Sequence, residues 1–100
     1  MNEPVKKGYW MVMVDVTDEA NYPQYIAANK AAFDKYGAKF LVRGGQGEVH
    51  EGPAASRLVV IEFESVQKAI EVHDSPGYQA ALKALGDGAE RDLRIVEGLE

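Results

Sequence analysis

The chain contains no cysteine. Disulfides, thiolate nucleophiles and cysteine-ligated zinc are therefore excluded. At 100 residues it has the length of one domain, enough to bury a core without such staples. Clustered basic residues are also missing. No Lys/Arg cluster exceeds the pair Lys6-Lys7, and the net charge is -5. A surface that tracks phosphates needs more positive charge than that, so nucleic acid is not an expected partner. There is no apolar run long enough for a membrane-spanning helix. The opening MNEPVKKGYW has no apolar core followed by a small-residue cleavage site, so it does not read as a secretory signal. The expected location is the cytoplasm, with no membrane contact. The 2 histidines lie far apart in sequence, without HxxxH or HxH spacing, so neither a metal nor a cofactor is expected.

With 46% hydrophobic and 27% charged residues, the composition is that of an ordinary globular domain. The stretch GYWMVMVDV, residues 8–16, is rich in β-formers and predicts a first strand. TDEAN, residues 17–21, offers three capping side chains, and Pro23 suits a first helical turn. Tyr22, Tyr25, Ile26, Asn29, Phe33 and Tyr36 recur at three- and four-residue spacing and share one helical face. Gly37 then suits a left-handed helix end.

Residues 38–43 predict a second strand, resuming after Gly44-Gly45 as far as Glu51. GPAAS, residues 52–56, reads as a hairpin turn, and RLVVIEFE, residues 57–64, as the third strand. Ser65 is placed to cap a second helix with Val66, Ala69, Ile70 and His73 on its inner stripe. Ser75-Pro76 restarts that helix in a new direction, with Tyr78, Leu82 and Leu85 facing inward. GDG, residues 86–88, breaks it, and residues 92–97 form a last short strand. The order β-α-β-β-α-β predicts an α+β, ferredoxin-like fold: a four-stranded antiparallel sheet with its helices on one face.

Both faces of that sheet read as apolar. Tyr9, Met11 and Met13 alternate with Trp10, Val12, Val14 and Val16, and Leu58 and Val60 alternate with Val59, Ile61 and Phe63. Helices cover one face only, and an apolar face left to water is a solubility liability. A second copy packed sheet to sheet removes it, so a homodimer is expected.

The stretch FLVRGGQGEVHEG, residues 40–52, raises the question of a phosphate loop. Such a loop leads from a strand into a helix whose N–H groups hold the anion. Here a strand pattern follows, so a β-bulge at the glycines is the stronger reading, with Gly44 allowing close approach of another group. Arg43 beside it has two readings. One is a salt bridge to Glu62, Glu64 or Asp15. The other is an anchor for a ligand carboxylate. Glu62, between Ile61 and Phe63, either pairs with Arg43 or Arg57 or serves as a general base. Asn29 interrupts an apolar stripe and needs hydrogen bonds, from backbone or from a ligand. Tyr25 and Tyr78 are the tyrosines best placed to line a cavity, and His73 is the acid–base candidate by its ordinary pKa.

The ordered set YPQYIAANKAAFDKYGAKFLVRGG, EG, VVIEF, DSPGYQAAL and a final VEG resembles domain-of-unknown-function family 1330, over nearly the whole chain. The resemblance implies a ferredoxin-like protomer of the dimeric α/β-barrel superfamily. That superfamily includes cofactor-free monooxygenases, small-molecule isomerases, haem-handling enzymes and proteins without known activity, so it implies no single reaction. The chain departs from the family pattern at Gly77, where an acidic residue is expected, at His73, where an aromatic is expected, and near Gly86, where a basic residue is frequent. The reading is a homodimer whose protomers hold a pocket between sheet and helices, lined by Tyr25, Asn29, Arg43, Glu62, His73 and Tyr78. The pocket is expected to take a small, partly apolar, anionic organic molecule. As an enzyme it would run cofactor-free lyase, isomerase or oxygenase chemistry, with Glu62 or His73 as base and Arg43 stabilising enolate-like charge. The rivals are a binding or sensing dimer without turnover and a purely structural dimer.

Overall fold

The computed structural model describes residues 5–17, 20, 22–52, 57–86 and 88–100. The elements are β1 (Gly8–Val16), α1 (Tyr22–Lys35), β2 (Lys39–Arg43), β3 (Arg57–Phe63), α2 (Val66–Asp74), α3 (Pro76–Leu85) and β4 (Ala89–Glu97). The strands form one sheet in the order β2-β3-β1-β4, each neighbouring pair antiparallel. This is the expected ferredoxin-like arrangement, with its second helical stretch divided in two. Of the side chains expected to cap α1, Asp18 and Asn21 lie outside the described residues. So do residues 53–56 of the expected turn and Asp87 of the GDG break.

One residue explains the division. The Ser75 hydroxyl donates to the Val72 carbonyl at 2.7 Å and accepts from the Tyr78 amide at 3.3 Å. It thereby closes α2 and caps α3, while Pro76 takes a first-turn position where no amide proton is needed. The change of direction brings Tyr78 into the core. At the start of α2 the Ser65 hydroxyl caps the Lys68 amide, as its position predicts. Gly37, at φ +70°, ends α1 in the left-handed region that a side chain would disfavour.

Trp10 stands at the centre of the core, 1% exposed. Its ring meets Tyr78 at 5.0 Å, Phe33 at 5.3 Å and Phe63 at 5.7 Å between centroids. Its indole N–H donates to the Ala69 carbonyl at 2.9 Å, so its only polar group is satisfied. Val12, Val14, Val59 and Ile61 complete the helix-facing side of the sheet. The opposite side exposes Met11, Met13, Val42 and Leu58, as the double-sided apolar pattern of the sequence implies.

Three boundaries differ from expectation. β2 ends at Arg43 and does not resume. The Gly44 amide still bonds the Leu58 carbonyl at 2.9 Å, but Gly44 lies at φ +68° and turns the chain off the ladder. The bulge lies before the glycines. Phe40 pairs with Ile61 and Val42 with Val60, leaving Leu41 as the extra residue. β4 begins at Ala89, three residues early, because its pairing with β1 continues to Val16.

Candidate functional site

α1 presents Tyr22, Tyr25 and Asn29 to the interior at three- and four-residue spacing, all buried. α3 adds Tyr78 through the Ser75 cap. The sheet supplies three arginines. Arg57 and Arg91 are both register partners of Val14, a buried inward residue, and so point to the helix side. Arg43 owes its direction to the bulge. Strict alternation after inward-facing Phe40 would turn Arg43 outward. The extra Leu41 shifts the phase, so that Arg43 opposes inward-facing Val59.

These side chains line one cavity together with Ile26, Phe33, Phe40, Leu93 and the inward residues of β1 and β3. It offers about 40 Å³ to water centres, room for roughly three waters at about 10–15 Å³ each. Arg43, Arg57 and Arg91 line it, and among the described residues no carboxylate does. At one end Arg91 Nη1 donates to the Tyr78 hydroxyl at 2.6 Å and to the Tyr25 hydroxyl at 3.2 Å. The two phenol oxygens are themselves 2.7 Å apart. Arg57 Cζ lies 5.5 Å from the Tyr22 ring centroid and Arg43 Cζ 4.3 Å from that of Phe40. Two buried polar atoms have no hydrogen-bond partner among the described residues: Asn29 Oδ1, an acceptor, and Arg57 Nε, a donor.

Protonation follows from the surroundings. Burial, reinforced by the adjacent Tyr78, pushes the Tyr25 phenol above its ordinary value, against the pull of Arg91 and Asn29. Burial likewise raises Tyr22. For Arg91, burial disfavours the charge, but the phenol oxygens of Tyr78 and Tyr25 outweigh it and hold the guanidinium above its usual range. At neutral pH the Tyr22 and Tyr25 phenols therefore keep their protons and Arg91 keeps its charge.

The cavity brings together four of the expected lining residues: Tyr25, Asn29, Arg43 and Tyr78. It excludes Glu62 and His73. Glu62 alternates with inward-facing Ile61 and Phe63, so it occupies the other face of the sheet. There its carboxylate accepts from the Tyr9 hydroxyl at 2.9 Å and from Lys7 Nζ at 3.3 Å. The Tyr9 hydrogen bond, helped by Lys7, holds its pKa below the ordinary value despite opposing desolvation. Its partners are thus neither Arg43 nor Arg57. His73 sits half-buried on the shoulder of α2, because Ala69 and Val72 take the inward stripe. Its ring faces Trp10 and Tyr78 from outside the cavity, with Nδ1 3.1 Å from Asp74 Oδ1.

Gly44 does not line the cavity but shapes it. A Cβ there would come within 2.6 Å of Arg57 Nη2, so glycine allows the guanidinium to lie against the backbone. Tyr22 and Arg57, which the sequence reading did not single out for the cavity, and Arg91, which it missed, complete the lining. Arg91 was legible in the alternation Ala89, Arg91, Leu93, Ile95, had the charged ERD stretch been read as strand.

The family model of a domain of unknown function, DUF1330, matches residues 7–99, so the chain belongs to that family. No curated protein matches the sequence. A crystal structure of a protein of unknown function from Rhodopseudomonas palustris is similar, with a TM-score of 0.79 at 18% identity, covering 99% of this chain and 87% of that one. SnoaB, a cofactor-independent oxygenase from Streptomyces nogalater, aligns with a TM-score of 0.63 at 12% identity, covering 96% of each chain. A dimeric ferredoxin-like protein of unknown function from Thermobifida fusca aligns with a TM-score of 0.56 at 13% identity, covering 98% of this chain and 96% of that one. At these identities the likeness establishes the fold. No helix among the described residues is long and apolar enough to cross a membrane.

Proposed function

We propose that this member of the DUF1330 family binds a small, partly apolar organic anion between its sheet and helices, as a homodimer formed through the opposite sheet face. The observation that carries the reading is three guanidinium groups around one cavity with no carboxylate in its wall among the described residues, in a chain of net charge -5. Gathering cations against the overall charge balance is unfavourable unless an anion sits among them. The apolar wall suits a short hydrocarbon portion, and the small volume limits the enclosed part to a carboxylate and a few further atoms.

The homodimer is supported by Met11, Met13, Val42 and Leu58, which form an exposed apolar stripe on the helix-free face. The Thermobifida fusca protein of the same fold is described as dimeric. A cofactor-independent reaction is a second reading, favoured by the fold shared with SnoaB. Arg91 and the phenols would stabilise developing negative charge on a bound enolate. Among the described residues no carboxylate or imidazole lines the cavity to remove a proton, so binding is the better-supported role.

Titration of short carboxylates into the protein, followed by NMR shifts of Tyr25, Asn29 and Tyr78, tests the reading. Saturable binding that weakens by about tenfold to a hundredfold in Arg57→Gln is expected, the loss of one charge-assisted contact. Equal affinity in the variant, or no saturation, overturns it.

A further inference from the structure

The hydrogen-bond arrangement around the cavity restricts the ligand more than its charge does. Tyr25 Oη and Tyr78 Oη each accept from Arg91 Nη1. The two oxygens lie 2.7 Å apart, so one hydroxyl donates to the other. The phenol that accepts across this contact keeps its own proton to give. Arg57 Nε is a second buried donor without a partner. Opposed to these donors is one buried acceptor, Asn29 Oδ1, on a residue 3% exposed.

A simple carboxylate satisfies the donors and leaves Asn29 Oδ1 without a proton. Burying an acceptor unpaired is costly, and occupancy by a ligand that cannot donate makes that loss permanent. From these atoms we infer that the ligand is a compact hydroxy acid, its carboxylate taken by Arg57 and the free phenol proton of the Tyr25–Tyr78 pair and its hydroxyl donating to Asn29 Oδ1. This deepens the anion-binding reading and rests on it. The hydroxyl and carboxylate are close together in the ligand, because the cavity has room for only a few atoms.

Lactate and propionate differ only in the hydroxyl and provide the test. Both are titrated by NMR into the wild type and into Asn29→Leu, which keeps the side-chain size and removes the acceptor. Lactate is expected to bind about tenfold more tightly than propionate in the wild type, the worth of one neutral hydrogen bond made in place of an orphaned group. The ratio is expected to approach one in Asn29→Leu. Equal affinities in the wild type overturn the hydroxy-acid assignment while leaving the anion pocket standing. A preference that persists in Asn29→Leu overturns the role given to Asn29. If neither acid binds, the anion pocket itself falls, and the hydroxy-acid inference with it. The wild-type comparison stands alone should the variant fail to fold.

Discussion

The two faces of this sheet treat charge in opposite ways. On the helix-free face Glu62 is held locally by Lys7 and Tyr9, beside an apolar stripe of Met11, Met13 and Leu58. On the helix side, three arginines and three tyrosines surround a cavity whose wall contains no carboxylate among the described residues. The first face satisfies its carboxylate and leaves hydrocarbon to be covered. The second buries its hydrocarbon and leaves cations to be answered. In a β-strand these demands are separated by a single residue, so neighbours in sequence belong to different interactions.

Adjacent substitutions in β1 test this separation. Trp10→Ala is expected to have the largest effect, about 3–5 kcal/mol of lost stability measured by urea unfolding, because it empties the centre of the aromatic core. Met11→Glu, one residue on, is expected to leave the protomer folded by circular dichroism. It should weaken dimerisation by about a hundredfold in analytical ultracentrifugation, since like charges would meet across the interface. Equal loss of protomer stability in both variants would erase the distinction between the faces. Gly44→Ala is a smaller test of the cavity side. Its positive φ makes the substitution cost about 1 kcal/mol, and the new methyl displaces the Arg57 guanidinium. Carboxylate affinity is expected to fall by about tenfold in NMR titration. Unchanged affinity would show that Arg57 does not need its place against the backbone.

The smallest effect concerns pH. Tyr25 has a folded pKa raised above its ordinary 10.0, so the folded state retains its proton where the unfolded chain has lost it. The corresponding stability is fully present below about pH 10 and is lost as pH rises through the folded value. Melting temperatures from about pH 8 to about pH 11 should fall less steeply for Tyr25→Phe than for the wild type. Parallel profiles would mean that the buried phenol is not linked to folding.

The fold was legible because its signals are local and agree with one another. The six-residue stripe of α1, Ser65, Ser75-Pro76 and Gly37 each state a helix face or boundary, and the antiparallel order follows from the element sequence. Tyr25, Asn29 and Tyr78 were legible as cavity-lining residues for the same reason. Glu62 was misplaced because a charge among apolar neighbours looks buried until alternation is applied strictly; Ile61 and Phe63 face in, and Glu62 therefore faces out. Arg91 was hidden by a strand end whose charged sequence resembles a loop. The bulge was assigned to Gly44-Gly45, since glycine is the usual mark of irregularity, whereas the register slips at Leu41, a residue with no local signature.

That slip makes the cavity's charge a matter of parity. A regular ladder through Leu41, without the bulge, would exchange the sides of everything after it on the edge strand, sending Arg43 to the apolar face and Val42 into the cavity. A one-residue slip in pairing would thus convert a three-arginine cavity into a two-arginine one and, in the same step, place a charge on the face proposed for the dimer contact. The charge of the cavity and the stickiness of the opposite face would vary together, without any substitution among the residues that line the cavity.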